Sequence, residues 1–133
     1  MDRLVLDGIN GRRLVLSGLQ RDQSHCYDRA ELTLNEGSVT TEVIDAGPDL
    51  ATFLSDLSET SQGFDGVRKF ESMEGELAIS CRYDGKGAVE CGVSLVRPSW
   101  NPPSWALTAD IDFGAGAHLE RIARDAEEFF GLN

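Results

Sequence analysis

Apolar and polar residues alternate over much of this chain, the period of a strand with one buried face. Leu4-Val5-Leu6 and Leu14-Val15-Leu16 flank Gly8-Ile9-Asn10-Gly11, whose Asn-Gly pair predicts a hairpin turn. Gln20 to Asp28 is polar and irregular and reads as a loop. Ala30, Leu32 and Leu34 then alternate with Glu31, Thr33 and Asn35 to give a strand. Asn35-Glu36-Gly37 turns the chain into Ser38 to Ile44, a stretch rich in β-branched residues.

The period changes after Gly47-Pro48-Asp49, which opens a helix: Pro suits the first helical position and Asp the positive end of the dipole. Leu50, Phe53, Leu54 and Leu57 follow the i, i+3, i+4, i+7 spacing of a buried face, and Ser61-Gln62-Gly63 ends the helix. A second helix carries Leu119, Ile122, Ala123, Ala126, Phe129 and Phe130 as one stripe and stops at Gly131.

Between the helices the period of two returns. Leu77, Ile79, Cys81 and Tyr83 share one face, as do Val89, Cys91, Val93 and Leu95. Side chains alternate strictly, so two strands facing the same core must pair residues of equal parity. The simplest such register leaves Gly85-Lys86-Gly87 in the loop and sets Cys81 opposite Cys91; a Cys81–Glu90 pairing would contradict it. Arg97 to Ser104 is too proline-rich to pair inside a sheet, and Trp105 to Phe113 alternates as a last strand.

Strands, a helix, more strands and a final helix predict an α+β fold in one domain, residues 1–133. The expected architecture is a two-layer sandwich: one largely antiparallel sheet of about six or seven strands with both amphipathic helices on one face. The other face would carry Glu31, Ser80, Arg82, Glu90, Ser94, Thr108, Asp110 and Asp112 and stay wet.

Charge changes the picture most. The chain has 23 acids and 12 bases, a formal net charge of -11. Eight of those acids lie between Ala30 and Val67, where Lys and Arg are absent: Glu31, Glu36, Glu42, Asp45, Asp49, Asp56, Glu59 and Asp65. Such a block serves solubility, and it also attracts cationic partners while repelling nucleic acid and anionic membrane. The segment from Met1 to Ser17 lacks the shape of a signal peptide and no apolar run reaches membrane-spanning length, so a cytoplasmic location is expected. Cys26, Cys81 and Cys91 lack metal-site spacing; in that compartment Cys81 and Cys91 are expected as reduced packing residues, able to bridge if oxidised.

Candidate chemistry is sparse. His25 and His118 lack ligand spacing with Asp, Glu or Cys and read as lone surface histidines, so neither a metal nor a cofactor is expected. Neither a nucleophile elbow nor a phosphate-binding loop is present, so no enzyme is recognised. Glu71, Glu74, Asp110 and Asp112 form an alternative acidic site, since paired carboxylates can bind a ligand or a divalent ion or do acid–base work; the plainer reading is solvated surface. Trp100, in the proline-rich loop, is either a partner anchor or a ring folded back onto Pro102 and Pro103 or onto the sheet edge.

The stretch Gly63-Phe64-Asp65-Gly66, with Phe70-Glu71-Ser72-Met73-Glu74-Gly75-Glu76-Leu77, the Asp84-Gly85-Lys86-Gly87 turn and the Leu119-Glu120-Arg121-Ile122-Ala123 helix, resembles a known group. This is a family of small uncharacterised actinobacterial proteins with a Gly-Trp-Asp-Gly … Trp-Glu-Ser-x-Glu-Gly-Glu-Leu signature. The similarity runs from about Ala30 to the C-terminus. Phe64 and Phe70 replace the family's tryptophans, which keeps an aromatic packing role and argues against one that needs the indole N–H. The motif also reads as architecture: glycines for turns, aromatics to pin the connection, and Glu71 and Glu74 to cap or to salt-bridge Arg68 and Lys69. Members are distantly similar to Wap-type immunity proteins, which neutralise contact-dependent toxins; the resemblance supplies no catalytic residue.

The resulting expectation is an acidic protein-binding module of the immunity type that neutralises a basic partner such as a toxin. Glu42, Asp45, Asp49, Asp56, Glu59 and Trp100 are the expected partner-binding residues. The alternatives are a ligand-binding or hydrolytic domain built on the paired carboxylates, and a structural homodimer through the open sheet face. Neither nucleic acid nor membrane is expected as a partner.

Overall fold

The computed structural model describes residues 2–21, 26–34, 37–44, 47–60, 62–97 and 105–131. The strands are β1 (Arg3–Asp7), β2 (Arg13–Arg21), β3 (Cys26–Leu34), β4 (Gly37–Ile44), β5 (Arg68–Glu71), β6 (Leu77–Tyr83), β7 (Ala88–Arg97) and β8 (Trp105–Gly114). Helix α1 (Gly47–Ser58) separates β4 from β5, and α2 (Ala117–Phe129) follows β8. The α+β class holds, but the expected single sheet is two antiparallel sheets of four strands, ordered β1-β2-β3-β4 and β5-β6-β7-β8. The reason is connectivity. Each strand pairs with its sequence neighbour, and α1 interrupts that run between β4 and β5.

The first hairpin forms as the Asn-Gly signal requires, with Asp7 opposite Arg13 and Gly11 at φ 82°. Strand β2 runs on to Arg21 and β3 starts at Cys26, so both ends of the loop expected over Gln20 to Asp28 are strand, while residues 22–25, His25 among them, lie outside the described part. A register shift between Ser17 and Gln20, next to Gly18 at φ 65°, breaks the alternation there. The short β5 strand was not expected: of its four residues Phe70 alone is buried, too little for a visible period.

In the second sheet Cys81 lies opposite Cys91, as parity demands. The loop is closed by Asp84: its N–H donates to the Ala88 carbonyl (2.9 Å), and its carboxylate accepts from the amides of Lys86 (2.6 Å) and Ala88 (3.0 Å). These backbone hydrogen bonds hold its carboxyl below the usual aspartate range. The cysteines are joined as a disulfide across 4.1 Å between Cα atoms, not left as the reduced pair expected above. Directly opposed residues in a non-hydrogen-bonded antiparallel position come this close, so the ladder itself presents the two thiols to each other.

One continuous apolar core draws Leu4, Leu6, Leu14, Leu16 and Leu32 from the first sheet and Leu77, Ile79, Val93, Leu95 and Ile111 from the second. Leu50, Leu54 and Leu57 of α1 and Leu119, Ile122, Ala126 and the following Phe130 of α2 complete it, matching the helical stripes read from the sequence. Helix α1 packs chiefly on α2, which also touches β1 and β8. The sheets are tied by the β1–β2 turn rather than by a ladder. The Ile9 amide donates to the Asp112 carbonyl (2.7 Å), and the Asn10 side-chain amide donates to that of Asp110 (2.8 Å). These bonds cover part of the β8 edge, which would otherwise offer free backbone groups to another strand.

His118 makes the second tie. The Gly114 amide donates to its Nδ1 (2.9 Å), so the ring proton sits on Nε2 and is donated to the Asp7 carbonyl (2.8 Å). It is therefore a structural junction between β1, β8 and α2, not the lone surface histidine expected; the link spans more than a hundred residues and leaves no local pattern. Arg121, one turn along, donates to the Asp7 carboxylate at 2.8 Å. Partial burial of Asp7 acts to raise its pKa, but this bond and the arginine's charge outweigh it and hold the carboxyl below its ordinary value.

Candidate functional site

The stretch from Gly63 to Leu77 forms turn architecture. The two buried polar residues of the described core belong to it: Ser72 and Glu76. The Ser72 hydroxyl donates to the Glu76 carboxylate (2.7 Å) and accepts the Leu77 amide (3.1 Å), closing the β5–β6 turn. The expected pairing of Glu71 and Glu74 with Arg68 and Lys69 does not form. Glu71 and Glu74 are exposed, and the Arg68 guanidinium lies 4.5 Å from the centre of the Phe64 ring, a cation–π contact. The glycines of the motif differ in strain. At Gly63, φ 98°, an added Cβ would sit 2.6 Å from two carbons of the Tyr83 ring; at Gly66, φ 75°, it would meet open space. Gly66→Ala should thus cost about 1 kcal/mol of backbone strain and Gly63→Ala roughly 2 kcal/mol, because the ring must also move. Urea unfolding of the two variants checks the difference; equal losses would discount the Tyr83 contact.

The candidate partner-binding residues divide by position. Asp49, Asp56 and Glu59 are exposed on and just beyond α1, held outward by Leu50, Leu54 and Leu57 on its buried side. The helix carries no Lys or Arg. Asp56 and Glu59 form one wall of a cleft of about 610 Å³ over Phe53, with Arg68 and Lys69 of β5 on the other wall. Glu42 is on β4 opposite Arg29, and its side chain falls outside the described part, as do Asp45 and Trp100 entirely.

The four residues of the alternative acidic site do not converge. Glu71 is on β5 and Asp110 and Asp112 are on β8, with β6 and β7 between them, roughly 14 Å at the usual strand spacing. Glu74 is exposed in the β5–β6 turn. Asp112 is opposite a different acid, Glu90 on β7, whose carboxylate accepts from the Arg82 guanidinium on β6 at 3.5 Å; Asp110 is opposite Gly92. Burial, followed by the charges of Glu90 and Asp110, raises the Asp112 pKa; Arg12 offsets this only in part. Glu90 was legible as a wet-face residue, and carrying the parity argument one strand further would have placed it here. Among the described residues no group of three or more His, Cys, Asp and Glu side chains is arranged to hold a metal ion.

These features define an antiparallel α+β protein with carboxylates concentrated on one helix and on one sheet face. No described helix is long and apolar enough to cross a membrane. The chain belongs to DUF6228, a family of unknown function, whose profile matches residues 8–133. Neither the curated proteins nor the solved structures contain a match.

Proposed function

We propose that this protein is an acidic binding module of the immunity type that neutralises a basic protein such as a toxin in the cytoplasm. The observation that carries the reading is the exposed side of α1: Asp49, Asp56 and Glu59 share it without a helical cation to offset them. A rigid row of carboxylates steers a cationic cleft toward itself and competes with the cleft's anionic substrate. Glu42, Asp45 and Trp100 are proposed to extend this surface. The distant likeness to Wap-type immunity proteins supports the same reading. A ligand-binding or hydrolytic site on Glu71, Glu74, Asp110 and Asp112 draws no support from a geometry that keeps the β5 and β8 acids apart.

The test is a low-salt pull-down from native lysate, eluted with rising salt, run beside the triple variant Asp49→Lys, Asp56→Lys, Glu59→Lys. A basic protein captured by the native chain should be lost from the variant, and its association rate should fall at least about tenfold at low ionic strength. An association rate unchanged by the triple reversal would remove α1 from the interface.

A further inference from the structure

Register turns the outer face of the second sheet into a grid. Arg82, Glu90 and Asp112 form one row across it, with Val67, just before β5, beside Arg82 in the same hollow; Lys69, Ser80, Gly92 and Asp110 form the next; Glu71, Ala78, Ser94 and Thr108 form the third. The middle columns of the second and third rows are small, so the face is hollowed into a trough of about 460 Å³ between β5 and β8. A second hollow of about 270 Å³ adjoins it through Ser80 and Gly92. No residue of the first sheet or of either helix lines either hollow.

A two-fold axis parallel to the strands, lying over the line between β6 and β7, turns this face onto itself. Such an axis sets β5 of one copy over β8 of the other and β6 over β7, with each row matched to itself. Lys69 then meets the partner's Asp110, and Arg82 meets the partner's Glu90. Ser80 meets Gly92, Ala78 meets Ser94, and Glu71 meets the hydroxyl of Thr108. Every charged position of the second row finds its opposite, and small positions meet small. An axis across the strands would lack this property, because it sets Asp112 over the Ala106 end of the sheet and leaves the acidic row without a cation. We propose that this face is a self-complementary interface, and that its occupant is a second copy of the chain in face-to-face sheet packing.

Two features of the single chain favour this occupant. Lys69 and Asp110 are both exposed and make no salt bridge within the described chain. Val67, a large apolar side chain more than half exposed, lies at the β5 end of the first row, where the partner's β8 would cover it. Face-to-face sheets lie about 10 Å apart, a gap that a Lys–Asp or Arg–Glu pair bridges while the long stems cover the trough. Four strands of about seven residues present roughly 400 Å² in plan, so the pair buries on the order of 1,000 Å². That is the lower limit for a specific interface, and the dimer is accordingly weak.

Sedimentation equilibrium of the full chain, from micromolar to near-millimolar concentration, reads the association directly. The mass should rise toward twice that of the chain. Lys69→Asp and Asp110→Lys should each weaken dimerisation about tenfold, and the double exchange should restore it to within about threefold. Asp49→Lys alone, on α1 outside the cleft that Lys69 shares with Asp56 and Glu59, should leave the dimer unchanged, which separates this inference from the proposed partner surface. A monomer at every concentration overturns it, and so does a dimer indifferent to both single variants or not rescued by the exchange. Salt gives a check without substitution: the native dimer should weaken as ionic strength rises, and one indifferent to salt overturns the charge pairing.

Discussion

Phe130→Ala is expected to destabilise the protein by about 3–5 kcal/mol, the range for deleting a fully buried aromatic ring. Phe130 has no exposed surface although it lies three residues from the end of the chain. Its amide closes α2 on the Ala126 carbonyl (3.0 Å), and its ring meets Phe129 edge-on with centroids 5.0 Å apart. The ring thus anchors the last turn of α2 in the same core that holds α1 and both sheets. Domains of this size are stable by about 5–15 kcal/mol, so the loss is a large share of the total. Urea unfolding of the variant measures it. Phe130→Leu, which keeps most of the volume, should lose less than half as much; an alanine variant within about 1 kcal/mol of the native chain would show that the site collapses without cost.

Opening the Cys81–Cys91 bond is expected to cost about 2.5–3 kcal/mol. The bridge closes a loop with a sequence separation of 10, and the loop-entropy relation gives that magnitude for a ring of this length. The effect acts mainly on the unfolded chain, because both residues are buried at the same register pair and the thiols would stay packed in the folded state. Reductant, or the double variant Cys81→Ala and Cys91→Ala, should therefore lower Tm by roughly 10 °C while the folded-state circular dichroism is kept. An unchanged Tm under reductant would mean that the bridge adds nothing to the ladder it spans. A cytoplasmic protein would hold the dithiol form, so the same pair of measurements gives the stability that would apply in that compartment.

Several elements were legible because their signals are local. The stripe Leu50, Phe53, Leu54, Leu57 and the stripe from Leu119 to Phe130 follow from helical geometry within a single segment; both are buried except at Phe53, which is half-buried under the cleft. The Asn-Gly turn needed four residues, and Gly131 at φ 70° ends the second helix as read. The Cys81–Cys91 register needed two strands and one parity rule. Of the candidate site, the exposure of Asp49, Asp56 and Glu59 was legible for the same reason: Asp56 falls between the apolar positions of α1, and Asp49 and Glu59 flank them. What failed involved weak or distant signals. Strand β5 has one buried residue, and β2 hides its length behind a bulge. His118 looked alone because its partners are the Asp7 carbonyl, far away in the chain, and a backbone amide, neither of which has a side-chain signature.

The sequence by itself determined which residues face inward, the parity of the pairing and the sign of the charge. These are consequences of repeating backbone geometry and composition, and consecutive residues carry them. Only the tertiary structure decided that the strands divide into two sheets, that the first hairpin's turn covers the β8 edge, and that Glu71 stands across the sheet from Asp110 and Asp112. Those outcomes depend on which edges the chain brings together once a single core is closed. Shape and packing over long sequence separations settle that choice, and hydrophobic burial has no direction of its own to record it in the local pattern.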